Sequence, residues 1–464
     1  MADTKKYWKG IEELEQTPEF VESTHKEFKE YVPVDQFLDG SAEDLSETSR
    51  RDFLKVLGFS VTAATLAACE APVTKSIPFL NKPEDLTPGV ADYYSSTFFD
   101  GYDMASIRIK TREGRPIFVQ GNLESPFSGG GINARINSSV LGLYDSKRAK
   151  GPALKIGNSW AKNASWDRID KDVKQAIRSA ASTGKKVALL TGTVISEVAK
   201  NAISTFNASV GAQGGVFEHV SYDAISSSGI LDANFKTFGK RVLPTYNFHK
   251  AKTVVSFSAD FLGNWLNALQ YTKGFTANRN PDNDWMVKHY QFETTLSVSG
   301  AAADVRASMK PSVIVEAVKY LYNKIGGSTK GNVPPKVAAK LDKAAKELLS
   351  SKGESLVVCG SNNGGLQLLI NAINEKLNNY GNTIDVNKEV YVRNGDDIAF
   401  SKLVEEMGNE EIGVLVISGL NPSYVAPASL KFNDAVKNVD TVVYTGERFD
   451  ETSEYAHYFT PNSH

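Results

Sequence analysis

The sequence predicts an α/β protein: a small β-rich domain followed by two doubly wound α/β units, all preceded by a long export segment expected to be disordered. Three observations carry this. Short apolar, β-branched runs recur through the last two thirds of the chain, each closing on a Gly or polar turn and separated by helical stretches. An alternating strand, a tight turn and a second strand occupy residues 106–119. Ahead of both lies a stretch too acidic and too poor in aliphatic runs to pack.

In chain order, the segment before Ser49 holds thirteen acidic residues against five lysines, with Pro18 and Pro33. A short helix is expected at Tyr7–Leu14, with Trp8, Ile11 and Leu14 on one edge. Ser49-Arg50-Arg51-Asp52-Phe53-Leu54-Lys55 then opens a short apolar stretch of small residues, Leu57–Ala68. Paired arginines, Phe-Leu-Lys and a weakly apolar run match a twin-arginine export signal, with Arg50, Arg51, Phe53, Leu54 and Lys55 as its elements. The plainer reading, two surface charges opening a core helix, accounts less well for the order of residues. Leu66-Ala67-Ala68-Cys69 reads as a lipobox, in which Cys69 is the lipidation site. Two acyl chains there would anchor the protein stably.

Residues 1–69 are thus assigned to the acidic lead and signal, and 70–90, with Pro72, Pro78, Pro83 and Pro88, to an extended linker. The β-rich domain spans 91–150. Alternation at Ser106–Thr111, the turn Arg112–Arg115 and the run Pro116–Val119 predict a hairpin. Strands at Lys186–Gly192, Gly215–Val220 and Thr253–Phe257, with a helix at about Ser196–Phe206, place an α/β domain at 151–330. Strands at Ser355–Cys359, Gly413–Ile417 and Asp440–Tyr444 place a second at 331–464. Apolar strands alternating with helices imply parallel sheets covered on both faces.

Composition narrows the function. Lys plus Arg number 52 against 54 for Asp plus Glu, a net charge of −2, which argues against a nucleic-acid partner. No run of about 20 apolar residues occurs, so no membrane-spanning helix is expected. Only Cys69 and Cys359 are present, too few for an iron–sulfur cluster or a four-thiolate zinc site.

In doubly wound sheets the ligand crevice lies at the carboxyl ends of the strands. The loops there are Thr191-Gly192-Thr193, Ser258-Ala259-Asp260, Gly360–Gly365 and Ser418-Gly419-Leu420-Asn421-Pro422. Their small and amide residues suit a dinucleotide's phosphates, and they equally suit ordinary strand-to-helix turns. No G-x-G-x-x-G or P-loop supports NAD or ATP. Cys359 reads as a buried strand end. His219 and Ser226–Ser228 lack a visible partner base, and His289 and His457 read as packed or hydrogen-bonded residues. No catalytic, cofactor-binding or metal residue is therefore assigned.

Gly114-Arg115-Pro116-Ile117-Phe118-Val119-Gln120-Gly121-Asn122, Gly129–Arg135 and Leu143–Arg148 resemble the opening domain of the molybdopterin oxidoreductase family. Gly419-Leu420-Asn421-Pro422 and Asp450–Pro461 resemble later signatures of that family. His289–Glu293 with Leu296–Arg306, the acidic lead and the twin arginines narrow the resemblance to the iron–sulfur large subunit of alternative complex III, its amino-terminal part. The resemblance implies a molybdopterin-oxidoreductase-like fold. It implies a place in a respiratory quinol:cytochrome c (or high-potential iron–sulfur protein) oxidoreductase. The expected partners are a quinol-binding membrane subunit and haem c subunits, at the periplasmic face of the bacterial inner membrane. Departures from the family are specific: Tyr93–Thr111 holds no cysteine cluster, and no Cys stands near Ser226–Ser228, where many members supply a metal ligand. The expectation is a cofactor-free scaffold, not catalytic by itself, with iron–sulfur clusters in a carboxyl-terminal part beyond His464. The alternative is the catalytic molybdopterin subunit of a polysulfide- or thiosulfate-type reductase.

Overall fold

Residues 89–464 apart from Asn163, together with Pro18 and Thr87, are described by the structure, a computed structural model. The expected Tyr7–Leu14 helix, the signal residues Arg50, Arg51, Phe53, Leu54 and Lys55, and Cys69 lie outside the described residues.

The first sheet is an antiparallel meander of β1 (Ala91–Phe99), β2 (Met104–Arg112) and β3 (Arg115–Gly121). Alternation decides its faces: Ile107 and Val119 are buried, whereas Arg108 and Lys110 point away. Glu113 and Gly114, both at positive φ (52° and 74°), form the two-residue turn that joins β2 to β3. Ile136, on a short helix capped by the Asn133 side chain, closes the small core beneath this sheet.

The remaining strands follow in order. These are β4 (Ala153–Ile156), β5 (Ser159–Lys162), β6 (Lys186–Thr191), β7 (Phe217–Ser221), β8 (Pro244–Tyr246) and β9 (Thr253–Phe257). Then come β10 (Lys288–Glu293), β11 (Val305–Ser308), β12 (Ser355–Cys359), β13 (Ile384–Glu389), β14 (Ile412–Ser418), β15 (Thr441–Gly446) and β16 (Tyr458–Pro461). A seven-stranded sheet has the order β5-β4-β16-β15-β14-β6-β7, parallel from β16 to β7. A four-stranded parallel sheet has the order β11-β10-β9-β12, and β13 pairs with β8 in a separate ribbon.

Both larger sheets are covered on both faces, which is why strands such as β6, β9, β12 and β14 read as near-continuous apolar runs. Along β6, Val187 joins one core and Ala188 and Leu190 the opposite one. Along β12, Val357 and Cys359 face one core, Leu356 and Val358 the other. Helices begin where side chains cap them. Ser165 accepts from Arg168 N ahead of Trp166–Thr183, which Gly184 ends at φ 72°. Ser196 starts Glu197–Gly211, which runs five residues past the predicted end at Phe206.

The strands do not divide at residue 330. β12 completes the sheet begun by β9, and β14–β16 complete the sheet begun by β6 and β7. The four-stranded unit is therefore an insertion within the seven-stranded one. A run of apolar residues announces a strand but not its partner, so the contiguous division at 330/331 is corrected by pairing. The strand β10 was not read from the sequence either. All of His289–Glu293 are buried, Tyr290 and Phe292 in one apolar core and His289, Gln291 and Glu293, each 2% exposed or less, on the other face, so polar residues interrupt any apolar run.

Candidate functional site: the strand-end crevice

In each large sheet the chain order reverses once. The reversal falls between β6 and β14 in the seven-stranded sheet and between β9 and β12 in the four-stranded one. Strand-end loops diverge at such points and leave a crevice.

At the second reversal the loops touch. A Cβ on Gly360 would lie 2.3 Å from the Ser258 carbonyl oxygen, so only glycine permits this approach. Ser258 itself sits at φ 54°. Gly229 N donates to Asn362 Oδ1 at 2.8 Å, pinning the start of the helix Ser228–Phe238 to the loop after β12. A cavity of about 140 Å³ remains, lined by Ser226, Ser227, Asp260, Ser361, Asn362 and Arg393 among others. Two of the four strand-end loops thus meet here, together with two of the three serines left unassigned in the sequence. The other two loops meet at the first reversal, where a Cβ on Gly192 would lie 4.0 Å from the Gly419 carbonyl oxygen.

The polar groups of these loops are engaged by the protein's own side chains. Asp223, 3% exposed and just beyond β7, accepts from Thr193 N (3.0 Å), Thr193 Oγ1 (2.8 Å), Asn394 N (3.1 Å) and Gly395 N (2.8 Å). Asp397 Oδ2 accepts from Ser226 Oγ at 2.7 Å and Asn362 Nδ2 at 3.0 Å. Its Oδ1 is buried with no partner among the described residues. Ser228 Oγ donates to the Gly395 carbonyl and accepts from Asp397 N. Asp260 Oδ1 accepts from the Ser299 amide and hydroxyl, both at 2.8 Å. Arg393, 3% exposed, donates to the carbonyls of Val392 (2.6 Å) and Tyr102 (2.8 Å) and lies over the Tyr102 ring. Burial pulls its guanidinium below the usual range, with Asp223 the main opposing charge.

The remaining candidates sit apart from the crevice chemistry. Cys359 faces a core containing Phe257 and Phe292, and burial pushes its thiol up to about 11. It is the buried strand-end residue expected, and it stays a thiol at neutral pH. His219 Nε2 shares a hydrogen bond with Thr191 Oγ1 at 2.9 Å, and burial lowers its pKa. His457 Nδ1 accepts from Val442 N at 2.9 Å, so the ring ties β15 to the segment before β16. His289 is fully buried edge-on to Phe261 and Phe275. Among the described residues, no three His, Cys, Asp or Glu side chains are grouped to hold a metal ion.

Asp223, Arg393 and Asp397 were not singled out from the sequence. The turn dipeptide Asn394-Gly395 before the acidic helix start Asp396-Asp397 was the available signal.

The fold these sheets define is that of a molybdopterin-oxidoreductase-like α/β protein. Among solved structures the chain is similar to acetylene hydratase from Pelobacter acetylenicus, with a TM-score of 0.59 and 13% sequence identity. The match covers 80% of this chain and 63% of that one, so the chain spans less than two thirds of the neighbour's length. No family model matches the chain. No curated protein matches it.

Proposed function

We propose that the chain is the cofactor-free, molybdopterin-oxidoreductase-like scaffold part of a membrane-associated quinol:cytochrome c (or high-potential iron–sulfur protein) oxidoreductase of the alternative complex III kind. It reaches the periplasmic face by the twin-arginine route, is anchored through Cys69, and docks beside quinol-binding and haem c subunits. The motifs quoted above, in family order along the chain, support the assignment to that complex.

One observation carries the cofactor-free part of this reading. Near the strand ends, Asp223 takes the Thr193, Asn394 and Gly395 amides and the Thr193 hydroxyl, and Asp397 takes the Ser226 hydroxyl and the Asn362 side-chain amide, donors that a dinucleotide's phosphates would otherwise use. Three features support reading these residues as unsuited to a pterin dinucleotide. Two carboxylates repel phosphate, Cys359 points into a core, and about 140 Å³ falls short of the roughly 300 Å³ at which small-molecule sites begin.

The test is isolation of the full-length protein from its native membranes under mild detergent. Covalently bound haem and quinol-oxidising activity should co-purify with it in fixed ratio. A protein recovered alone, without haem or a membrane subunit, would contradict the assignment to an electron-transfer complex.

A further inference from the structure

The three backbone amides on Asp223 come from two different strand-end segments, and they converge on one carboxylate. Thr193 follows β6, the strand at which the chain order reverses. Asn394 and Gly395 precede the helix Asp397–Gly408, and Asp223 itself follows β7. Converging N–H groups with a hydroxyl beside them form a concave donor set that selects an anion. The fit is close: a Cβ on Gly395 would lie 2.6 Å from Asp223 N and 2.9 Å from its Oδ2. Asn394 N also donates to Thr193 Oγ1 at 2.6 Å, so the hydroxyl is held with its proton toward the carboxylate.

We propose that Asp223 is an internal counterpart of a bound oxyanion: its carboxylate fills a preformed anion-binding turn at the crevice and latches the loops after β6 and β7 to the segment 394–397. Removing it leaves a latent site for a tetrahedral oxyanion, of which inorganic phosphate is the simplest. The proposal rests on the reading that no dinucleotide enters the crevice, and it adds that one aspartate keeps it out. The latch continues through Asp397, which holds Ser226 and Asn362 across the cavity. Closure of the site is thus built from acidic side chains rather than from bulk.

The experiment compares full-length wild type with Asp223→Gly and Asp223→Asn by thermal unfolding in phosphate and in chloride at matched ionic strength. Asp223→Gly exposes the turn. Its Tm should fall in chloride, and should rise saturably with phosphate, by about 2 °C or more at tenfold the half-saturating concentration. Wild type should show no such rise. Asp223→Asn keeps the space filled while setting its N–H₂, in either amide orientation, against at least one backbone N–H, so it should lose stability that phosphate does not restore. Should Asp223→Gly fail to stay folded in chloride, refolding yield reads the same quantity. A higher yield in phosphate than in chloride supports the proposal; equal yields overturn it. A Tm for Asp223→Gly that responds to phosphate no more than wild type also overturns it. Neither result bears on the cofactor-free reading, which only metal and pterin content of wild type can overturn.

Discussion

Arg306 donates from Nε to Glu293 Oε1 at 2.5 Å, and Glu293 in turn is 2% exposed at the end of β10. Ser297 donates to the same carboxylate from its amide and its hydroxyl, and Gln291 Nε2 adds a further bond at 3.1 Å. Burial alone would push Glu293 up, but these donors outweigh it and hold its carboxyl below the usual range. The charged form is therefore the one the fold is built around.

Arg306→Met should consequently cost about 3 kcal/mol, the scale for leaving a buried charge without its ion partner. Lys252→Met removes a partner from Glu354 in a pair where both side chains are more than 40% exposed, and should cost less than about 1 kcal/mol. Urea unfolding midpoints of the two variants against wild type give the comparison. Equal costs would mean that the Glu293 site is solvated in solution.

His289 shares that buried row, its Nε2 3.1 Å from Gln291 Oε1, and burial pushes it down to about 4. An unfolded histidine takes its proton near pH 6.5. Between about 6.5 and 4 the unfolded chain binds the extra proton, so stability is full above the upper value and is lost as pH falls through this window. The shift corresponds to about 3 kcal/mol. His289→Asn should flatten the pH dependence of unfolding free energy between pH 7 and 4.5, most visibly near pH 5, about midway between the two values. An unchanged slope would place the acid-sensitive group elsewhere.

Gly360→Ala should destabilise by about 1–3 kcal/mol, because the new methyl group meets the Ser258 carbonyl and backbone cannot yield cheaply. Gly364→Ala is the matched control. Its Cβ would lie 3.8 Å from the nearest backbone oxygen at the first residue of a helix, where alanine is favoured. Its midpoint should stay level or rise.

Cys359 should resist alkylation in the native state and react once the chain unfolds, since both its burial and its raised pKa suppress thiolate. Peptide mapping after iodoacetamide treatment, with and without urea, separates it from Cys69. Rapid native labelling of Cys359 would contradict its placement in the core.

Much of this architecture was legible in the sequence because burial on both faces writes itself as apolar runs, as at Val187–Leu190, Leu356–Cys359 and Val414–Ile417. The crevice loops were legible for a related reason: Gly and Asn stand where strands end and backbones must approach, as Gly360 does Ser258. Two things were hidden. Strand partnership was one, since nothing local tells Leu356 that its neighbour is Val254. The other was the closing of the crevice, because Asp223 meets Gly395 across 172 residues and Asp397 meets Ser226 across 171. Strand β10 escaped because its His, Gln and Glu break the apolar run between Tyr290 and Phe292, although all five residues are buried.

The most direct measurement is molybdenum, tungsten and pterin content of the full-length protein purified from its native source. Engagement of the crevice by Asp223 and Asp397 predicts that all three stay far below one equivalent per chain. Near-stoichiometric metal with a matching pterin fluorescence would contradict it, and would mean that these carboxylates swing aside to admit a dinucleotide.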